Sequence, residues 1–377
     1  MTFDEAEEEV GYSHHTHISE PTVRRTTYRH GQAAEAVARQ AVERLKAKAA
    51  PSEVLPQPLA ISADGCLIHL TNGEWREIKG VAMGTFATEW QPGTWESQVK
   101  TRQISYFTRS YRAREFERYA LAELHRRGVD NAPVVVAVND GSEWIQAFID
   151  YHCPRAVRII DFPHAVGYLA NAGRAIWGEG TAMFKAWFEQ ADHQLKHKPP
   201  QRTIAELRLL GQKARSDEQT AVVDQAIFYL QKRLAMIDYA YFRRCGYPIG
   251  SGAVESGHKV VVQRRFKQAG MRWAAHNVDP LLALRDLLCN KRWAEGWRQI
   301  LAYQQQQRNS KRLQTAQAKQ PPPSEPVTFA ALKAAGRLPE PSAPDQQPAT
   351  EPKPKRPAQD HPWRQGIWPT KESWRWN

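Results

Sequence analysis

The sequence predicts an α/β protein built on a mixed five-stranded sheet, and three features of the chain indicate this. Short apolar segments bounded by Gly, Pro, Asn and Asp recur between residues 59 and 161, as expected of strands. Residues 166–242 instead carry the spacing of helices. A glycine-rich break at residues 250–252 then precedes a stretch, residues 258–268, that has no Gly or Pro and can form one more helix.

The predicted strands and their connecting helices have a defined order between residues 56 and 165. Three strands come first, followed by a helix, a strand, a helix and a strand. The fourth strand is a continuous apolar run and is expected to be buried on both faces of the sheet. The strands are predicted at residues 59–70 (with an Asp-Gly bend at 64 and 65), 74–84, 103–107, 133–141 and 156–161, and the helices at 112–127 and 144–148.

This element order resembles that of the RNase H-like fold, in which the first and fourth strands are neighbours. Asp64 lies in the first predicted strand and Asp140 at the end of the fourth. The resemblance therefore implies that the two carboxylates meet at the rim of the sheet.

The N-terminal region, residues 1–55, is predicted to be helical. An acidic first helix is followed by a second that begins at Ser19 and by a long Ala-rich helix over residues 32–50. The segment after Ser19 resembles the second half of a helix-turn-helix, which would put Arg24 and Arg25 on a DNA-contacting recognition helix. A helical arm that packs on the next domain is the alternative.

The C-terminal half is predicted to contain three regions. Residues 166–245 form an all-helical insertion, and residues 246–303 carry the helix after the glycine-rich break and an amphipathic helix over residues 280–303. Residues 304–377 are low in complexity, with 13 prolines from residue 321 onward, and are expected to form a disordered tail.

Composition narrows the class of protein. The chain has 377 residues, a net charge of +12 and 41% hydrophobic residues, enough for a sizeable core. Four cysteines lie far apart, which favours neither a zinc site nor a disulfide framework. No apolar signal segment and no apolar run of 18 residues is present, so a cytoplasmic protein without a membrane partner is expected.

Positive charge is concentrated late in the chain. Residues 256–320 hold 13 Lys or Arg residues and three Asp or Glu residues, with Phe266, Trp273, Trp293 and Trp297 interleaved. A basic stretch with aromatic residues indicates a polyanion as partner. A solvated basic helix is the alternative.

The stretch around Glu255 is the most specific motif. It runs Tyr247-Pro-Ile-Gly-Ser-Gly-Ala-Val-Glu255 and continues after five residues as Val261-Val-Gln-Arg-Arg-Phe-Lys-Gln-Ala-Gly-Met-Arg-Trp273. It resembles the C-terminal signature of the DDE transposases of bacterial insertion sequences, most closely the ISKra group with its Mutator-like relatives. In that family the glutamate is the third catalytic carboxylate. An acid favoured near a helix N-terminus is the alternative explanation.

The helix that carries Glu255 is expected to be amphipathic. At about 100° per residue, Glu255, Val262 and Phe266 fall on one stripe, which should face a core. The remaining surface is polar and basic. Together with the resemblance, it predicts DNA contacts by Lys259, Gln263, Arg264, Arg265, Lys267, Arg272 and Trp273.

By resemblance, Asp64, Asp140 and Glu255 are the catalytic and metal-binding residues. Three carboxylates are hard oxygen ligands suited to two Mg²⁺ or Mn²⁺ ions. Asp161-Phe-Pro-His164 resembles the [Cys/Asp]-x-x-His element of Mutator-like transposases, which implies that Asp161 and His164 support the metal ligands. A helix N-cap with a packed histidine is the alternative, and Asp161 in place of Asp140 as second catalytic aspartate stays open.

The resemblance implies a nucleoid-associated prokaryotic transposase. It would bind the terminal repeats of an insertion sequence and target DNA as a homo-oligomer, cut the ends with water, and join the freed 3′-OH to the target. A structure-specific nuclease on the same fold is one alternative. The other is a truncated or domesticated DNA-binding protein, since family members carry more sequence before residue 19. The segment at residues 250–252 lacks the Lys-Ser/Thr of a P-loop.

Overall fold

The computed structural model describes residues 2–48, 52, 54–91 and 96–318. Residues up to Leu313 form one compact unit, and the chain from Gln314 onward is assigned to a second. The part of the predicted disordered tail beyond residue 318 lies outside the described residues. Within the described residues, no helix is long and apolar enough to cross a membrane.

A mixed five-stranded sheet forms the centre of the first unit, as predicted. Its strand order is β3-β2-β1-β4-β5. The first three strands are antiparallel, and β4 and β5 run parallel to β1, so the predicted adjacency of the first and fourth strands is confirmed. The strands are β1 Leu59–His69, β2 Trp75–Gln91, β3 Glu96–Arg109, β4 Val135–Asn139 and β5 Val157–Ile160.

The predicted bend at Asp64 and Gly65 is wrong, because β1 runs straight through it. Asp64 pairs with Gly80 and Gly65 with Lys79 in an unbroken ladder with β2. An Asp-Gly pair makes a tight turn when its residues take positive φ angles. Here continuous cross-strand pairing keeps both residues extended and overrides that local preference. Asp64 is therefore fixed in mid-strand and not on a flexible turn.

Two helical layers cover the sheet. On one face, α3 (Ala113–Arg126) and α4 (Glu143–His152) bury Phe116 and Phe148 against β1 and β2. On the other face, the predicted all-helical region packs Leu195 and Leu230 onto β4 and β5 and shares one core with them. Its helices are α5 Phe162–Trp177, α6 Ala182–His197, α7 Pro200–Gly211, α8 Asp217–Gln231 and α9 Tyr239–Arg244.

The segment after the glycine-rich break is helical but not uniform. It comprises α10 (Gly252–Gly257), a π-helical turn (His258–Gln263) and α11 (Arg264–Phe266). The predicted helix therefore ends at Phe266, two residues earlier than expected. Its buried side chains, Val261, Val262 and Phe266, form a core with the far ends of β1 and β2.

The N-terminal region is a helical arm packed on the rest of the unit. It consists of α1 (Phe3–His14) and one continuous 28-residue helix, α2 (Glu20–Ala47), so the predicted division of the latter into two helices is wrong. At Gly31 a Cβ atom would lie 2.6 Å from the backbone oxygen of Pro280, so α2 and α12 touch backbone to backbone here. This close contact favours the packed arm over the helix-turn-helix.

The predicted helix over residues 280–303 is two helices. They are α12 (Ala275–Cys289) and α13 (Trp293–Ala318), separated by a turn in which Lys291 has a φ of 57°. Residues 304–318, which were expected to be disordered, continue α13. Their Gln, Arg, Lys, Leu and Ala residues are good helix formers, which explains the extension.

The free edge of β3 is covered by side chains of α12. Side-chain oxygens of α12 and of Asn290, the residue after it, accept hydrogen bonds from backbone N–H groups of alternate β3 residues and of the residue after the strand. The pairs are Asp279 with Ser110 (2.6 Å), Asp286 with Thr108 (3.1 Å) and Asn290 with Tyr106 (2.8 Å). These bonds satisfy donors that an exposed edge would leave free to pair with another chain.

Candidate active site

Asp64 lies in β1, and Asp140 directly follows β4, the parallel neighbour of β1. The ladder between β1 and β4 pairs Ile61 with Ala137, and the same register extended by three residues pairs Asp64 with Asp140. The Asn139 side chain holds the strands together where the ladder ends, because its Oδ1 accepts a hydrogen bond of 2.6 Å from the backbone N–H of Ala63. Continued beyond the ladder, this register sets the backbones of the first two predicted catalytic residues opposite each other.

The Asp64 carboxylate is accessible and only lightly bonded. Its side chain is 42% exposed, one oxygen accepts the N–H of the next residue, Gly65, at 2.7 Å, and the other lies 3.5 Å from Nδ1 of His258. Burial raises the pKa of the neighbouring Cys66 thiol to about 11, which keeps it protonated at neutral pH. The carboxylate of Asp64 is therefore the available ligand on this part of β1.

His258 is a site residue that the sequence did not single out. It is buried, and a Cβ atom on Gly80 would lie 2.6 Å from its Nε2, so only glycine at residue 80 leaves room for the imidazole. This Nε2 has no hydrogen-bond partner among the described residues. Its spacing three residues after Glu255 would not have found it, because the structure exposes Glu255 and buries His258.

Asp140 begins a turn that the helical region holds in place. One carboxylate oxygen accepts the N–H of Ser142 at 2.9 Å, and the backbone oxygen of Asp140 accepts the hydroxyl of Tyr229 on α8 at 2.5 Å. Burial raises the pKa of Tyr229 to about 12, so the hydroxyl remains a donor. Arg233 stacks on the Tyr229 ring at 3.9 Å and donates to the backbone oxygen of Gly141 at 3.2 Å. Neither contact was predicted.

Asp161 is buried and fully bonded, although its register also puts it level with Asp140. One oxygen accepts the N–H of His164 at 3.1 Å and caps α5, which is the helix N-cap that the sequence left as an alternative. The other accepts the N–H of Ser251 at 2.7 Å. Asp161 therefore fixes the loop that leads into α10. His164 packs edge-on against Tyr229, with ring centroids 5.7 Å apart.

Glu255 lies in α10 with its side chain exposed. The expected common stripe with Val262 and Phe266 is wrong, since those two residues are buried and Glu255 is not. The π-helical turn between them is the reason, because it holds more residues per turn than an α-helix and rotates the residues after it around the helix axis. α10 lies close to β3, since a Cβ on Gly257 would be 2.7 Å from the Tyr106 ring.

The three carboxylates differ in how closely they are grouped. Asp64 and Asp140 lie opposite each other when the β1–β4 register is extended. Glu255 lies one helical turn before His258, which contacts Asp64. Within the described parts of the chain, no three His, Cys, Asp or Glu side chains are close enough to hold a metal ion together. The carboxylate oxygens of Asp64 and Asp140 accept few hydrogen bonds within the fold. Mg²⁺ and Mn²⁺ prefer oxygen ligands of this kind.

The predicted DNA-contacting residues divide into exposed and packed side chains. Arg265 lies between the rings of Phe3 and Trp273, at 4.5 and 4.8 Å, and burial lowers its pKa. Trp273 is buried and donates its indole N–H to the backbone oxygen of Phe266 at 3.1 Å. Both are packing residues and leave the DNA-contacting set. Those that remain are Lys259, Arg264, Lys267 and Arg272, all exposed, and Gln263, which is half-buried.

The α2 residues predicted to contact DNA are Arg24 and Arg25, and Arg24 is exposed in spite of the contacts that it makes. Arg24 donates to Glu20 at 2.7 Å and lies over the Phe3 ring at 5.7 Å, so it ties α1 to α2. Arg25 is exposed. Both lie on a 28-residue helix that packs along the unit, whereas a recognition helix has to be free to enter the major groove of DNA.

Comparison of the chain with protein-family models gives no match, and comparison with curated proteins gives no significant match. The function of the site must therefore be inferred from its own residues and their geometry. That geometry combines a carboxylate in β1 and another directly after β4, both with few hydrogen bonds, a third on a nearby helix, and exposed cations beyond it.

Proposed function

We propose that the protein is a DNA transposase of the DDE type, with an RNase H-like core, that cleaves DNA strands and joins them to a target. The observation that carries this proposal is the parallel register of β1 and β4, which when continued past the ladder sets Asp64 opposite Asp140, beside the helix of Glu255. The strand order, with three antiparallel strands followed by two parallel ones, supports the fold assignment.

Asp64, Asp140 and Glu255 would hold Mg²⁺ or Mn²⁺. When bound, a pair of such ions activates the attacking oxygen and stabilises the leaving oxygen of an in-line phosphoryl displacement. His258 orients the Asp64 carboxylate through its Nδ1, 3.5 Å away. Tyr229 and Arg233 hold the backbone of the turn that begins at Asp140.

Exposed cations next to the site would bind the DNA backbone. Lys259, Arg264, Lys267 and Arg272 come within 17 residues after Glu255 and point to solvent. Two of the three acids in residues 256–320, Asp279 and Asp286, are bonded to β3 and to Arg109 and do not offset this charge at the surface. The proposed substrates are the double-stranded terminal repeats of a mobile element and target DNA, bound by a homo-oligomer.

Two assays on the full chain test the proposal. The first measures Mg²⁺-dependent nicking of supercoiled plasmid, and the second measures joining of a labelled end, taken from the DNA flanking the coding sequence, to a target plasmid. Both activities are expected, and both should be lost in Asp64→Asn. Asp224→Asn, which alters an exposed carboxylate of α8, is the matched control.

The outcomes separate the alternatives. Nicking without joining would make the protein a nuclease, and DNA binding without nicking would make it a binding protein. If Asp64→Asn still nicked plasmid, the activity would not depend on Asp64, and the proposed active site would be wrong.

A further inference from the structure

The tip of the β1–β2 hairpin carries an exposed pair of aromatic rings. Trp75 is 62% exposed, and its indole stacks on the imidazole of His69 with centroids 4.9 Å apart and planes 21° from parallel. The two residues are direct cross-strand partners at the last rung of the ladder. The imidazole thus supports the indole and leaves much of the ring open to solvent.

A cavity of about 480 Å³ adjoins this pair. The half-buried side chain of Met271 contributes an apolar wall, and the exposed residues Lys267, Gln268 and Arg272 supply polar groups. The volume is in the range of small-ligand sites. The cavity thus combines an aromatic surface, an apolar wall and two cations.

The cavity is built on fixed backbone. The N–H of Trp273 donates to the backbone oxygen of His69 at 3.1 Å, and the N–H of Thr71 donates to the backbone oxygen of Trp273 at 3.0 Å. The segment that bears Arg272 is therefore bonded to the strand end that bears the ring pair. The cation and the aromatic surface are held in one geometry before any ligand binds, which lowers the cost of binding.

We propose that Trp75, supported by His69, is a stacking site for an unpaired nucleobase of single-stranded DNA, with Lys267 and Arg272 holding the flanking phosphates. Aromatic rings beside cations bind single strands because every base has a π-face and every nucleotide a negative charge. In a duplex, stacking on the neighbouring base pairs covers those faces. Single-stranded DNA is therefore the favoured occupant.

This inference rests on the proposed function and deepens it. Asp64 and His69 are five residues apart on β1, which corresponds to about 17 Å along the strand. A DNA strand whose phosphate lies at the carboxylates could thus place a base several nucleotides away on Trp75. The site would capture a strand that is unpaired near the cleavage point.

The test measures binding of the full chain by fluorescence anisotropy to three probes. These are labelled oligo-dT, an abasic strand of equal length, and a duplex of equal length. Trp75→Ala is expected to weaken oligo-dT binding by about five- to hundredfold, with a change of less than about twofold for the abasic strand and the duplex. Trp75→Phe should restore most of the affinity. Trp90→Ala, an exposed tryptophan at the other end of β2, is the control.

Each other result overturns the inference. Unchanged oligo-dT binding in Trp75→Ala would remove the stacking role, and an equal loss for the abasic strand would show that the ring supports the fold or the charges. Circular dichroism identifies an unfolded variant, in which case Trp75→Phe decides. If the wild-type chain binds the duplex but not oligo-dT, the inference about Trp75 is refuted and the proposed function is not. A chain that binds no DNA refutes the proposed function as well.

Discussion

Two groups of aspartates lie in or against the same sheet and differ in their burial and hydrogen bonding. Asp161 and Asp286 are buried, and each carboxylate accepts at least two hydrogen bonds, from Ser251 and His164 in the first case and from Thr108 and Arg109 in the second. Asp64 and Asp140 are partly exposed. Each of the latter accepts one backbone N–H from within two residues along the chain.

This difference indicates which carboxylates stabilise the fold and which are available to bind a ligand. A buried acid that satisfies backbone N–H groups is part of the fold, because its loss leaves those donors unpaired at a cost of about 1–3 kcal/mol each. An acid that the fold scarcely uses keeps its lone pairs for a ligand, and sites of this kind are commonly kept at the expense of stability. Substitutions in the two groups should therefore have opposite effects on catalysis and on stability.

The largest effect is expected on catalysis from the second group. Asp64→Asn, Asp140→Asn and Glu255→Gln should each lower plasmid nicking by more than about a hundredfold, which exceeds the effect of residues that only orient metal ligands. DNA affinity and the free energy of unfolding should stay close to the wild-type values. Nicking rates and urea titrations measure both. If Asp140→Asn were active and Asp161→Asn inactive but folded, Asp161 would be the second catalytic aspartate.

The next largest effect is expected on stability from the first group. Asp286→Ala leaves Arg109 buried without its carboxylate, which lies 2.6 Å away, and should lower the free energy of unfolding by about 3–5 kcal/mol. Urea denaturation measures this, with Asp224→Asn as the surface control. A loss below about 1 kcal/mol would show that the β3 edge is not held by α12.

His152, a half-buried histidine of α4, should set part of the pH dependence of stability although it lies outside the candidate site. Burial lowers the pKa of His152 to about 4, and its Nε2–H donates to the backbone oxygen of Glu117. The unfolded chain binds this proton below about pH 6.5 and the folded chain does not, so stability should fall by up to about 3 kcal/mol from pH 6.5 to pH 4. His152→Gln should flatten this slope in urea titrations.

The contact between His258 and Asp64 should affect catalysis more weakly than loss of a ligand. His258→Asn is expected to lower nicking about 10- to 100-fold and to raise the Mg²⁺ concentration required. Gly80→Ala should do the same, because its Cβ would displace the imidazole. Gly167→Ala, where a Cβ meets nothing within 4 Å, is the control. An unchanged Mg²⁺ dependence in both variants would make His258 a packing residue only.

The sheet was predictable because its signals are local. Continuous apolar runs mark β4 and β5, and the resemblance of the element order to that of the RNase H-like fold implied that β1 lies beside β4. Asp140 could be placed at a strand end for the same reason. Local signals also misled, since the Asp-Gly pair at residue 64 is a turn signal that cross-strand pairing with β2 overrides.

The features that the sequence could not predict depend on contacts between distant residues. Asp161 and Asp140 look alike as strand-end acids, and only the bond from Ser251, 90 residues later, separates them. Asp286 is one of the three acids in residues 256–320, and its burial depends on a contact with Arg109, which is 177 residues earlier in the chain. Trp273 and Arg265 fit an amphipathic DNA-binding surface by spacing, yet their packing on each other and on Phe3 turns both inward.

The smallest effect separates exposed from packed cations. Each phosphate contact that is neutralised releases counterions, so the slope of log K against log salt reports how many cations touch DNA. Replacing Arg264, Lys267 and Arg272 together with glutamine should flatten that slope by up to about three units. Arg265→Gln, next in sequence to Arg264, should leave the slope unchanged and instead lower stability, because its guanidinium packs on Trp273 at 4.8 Å. A flatter slope in Arg265→Gln with unchanged stability would mean that this side chain leaves its aromatic partners to bind DNA.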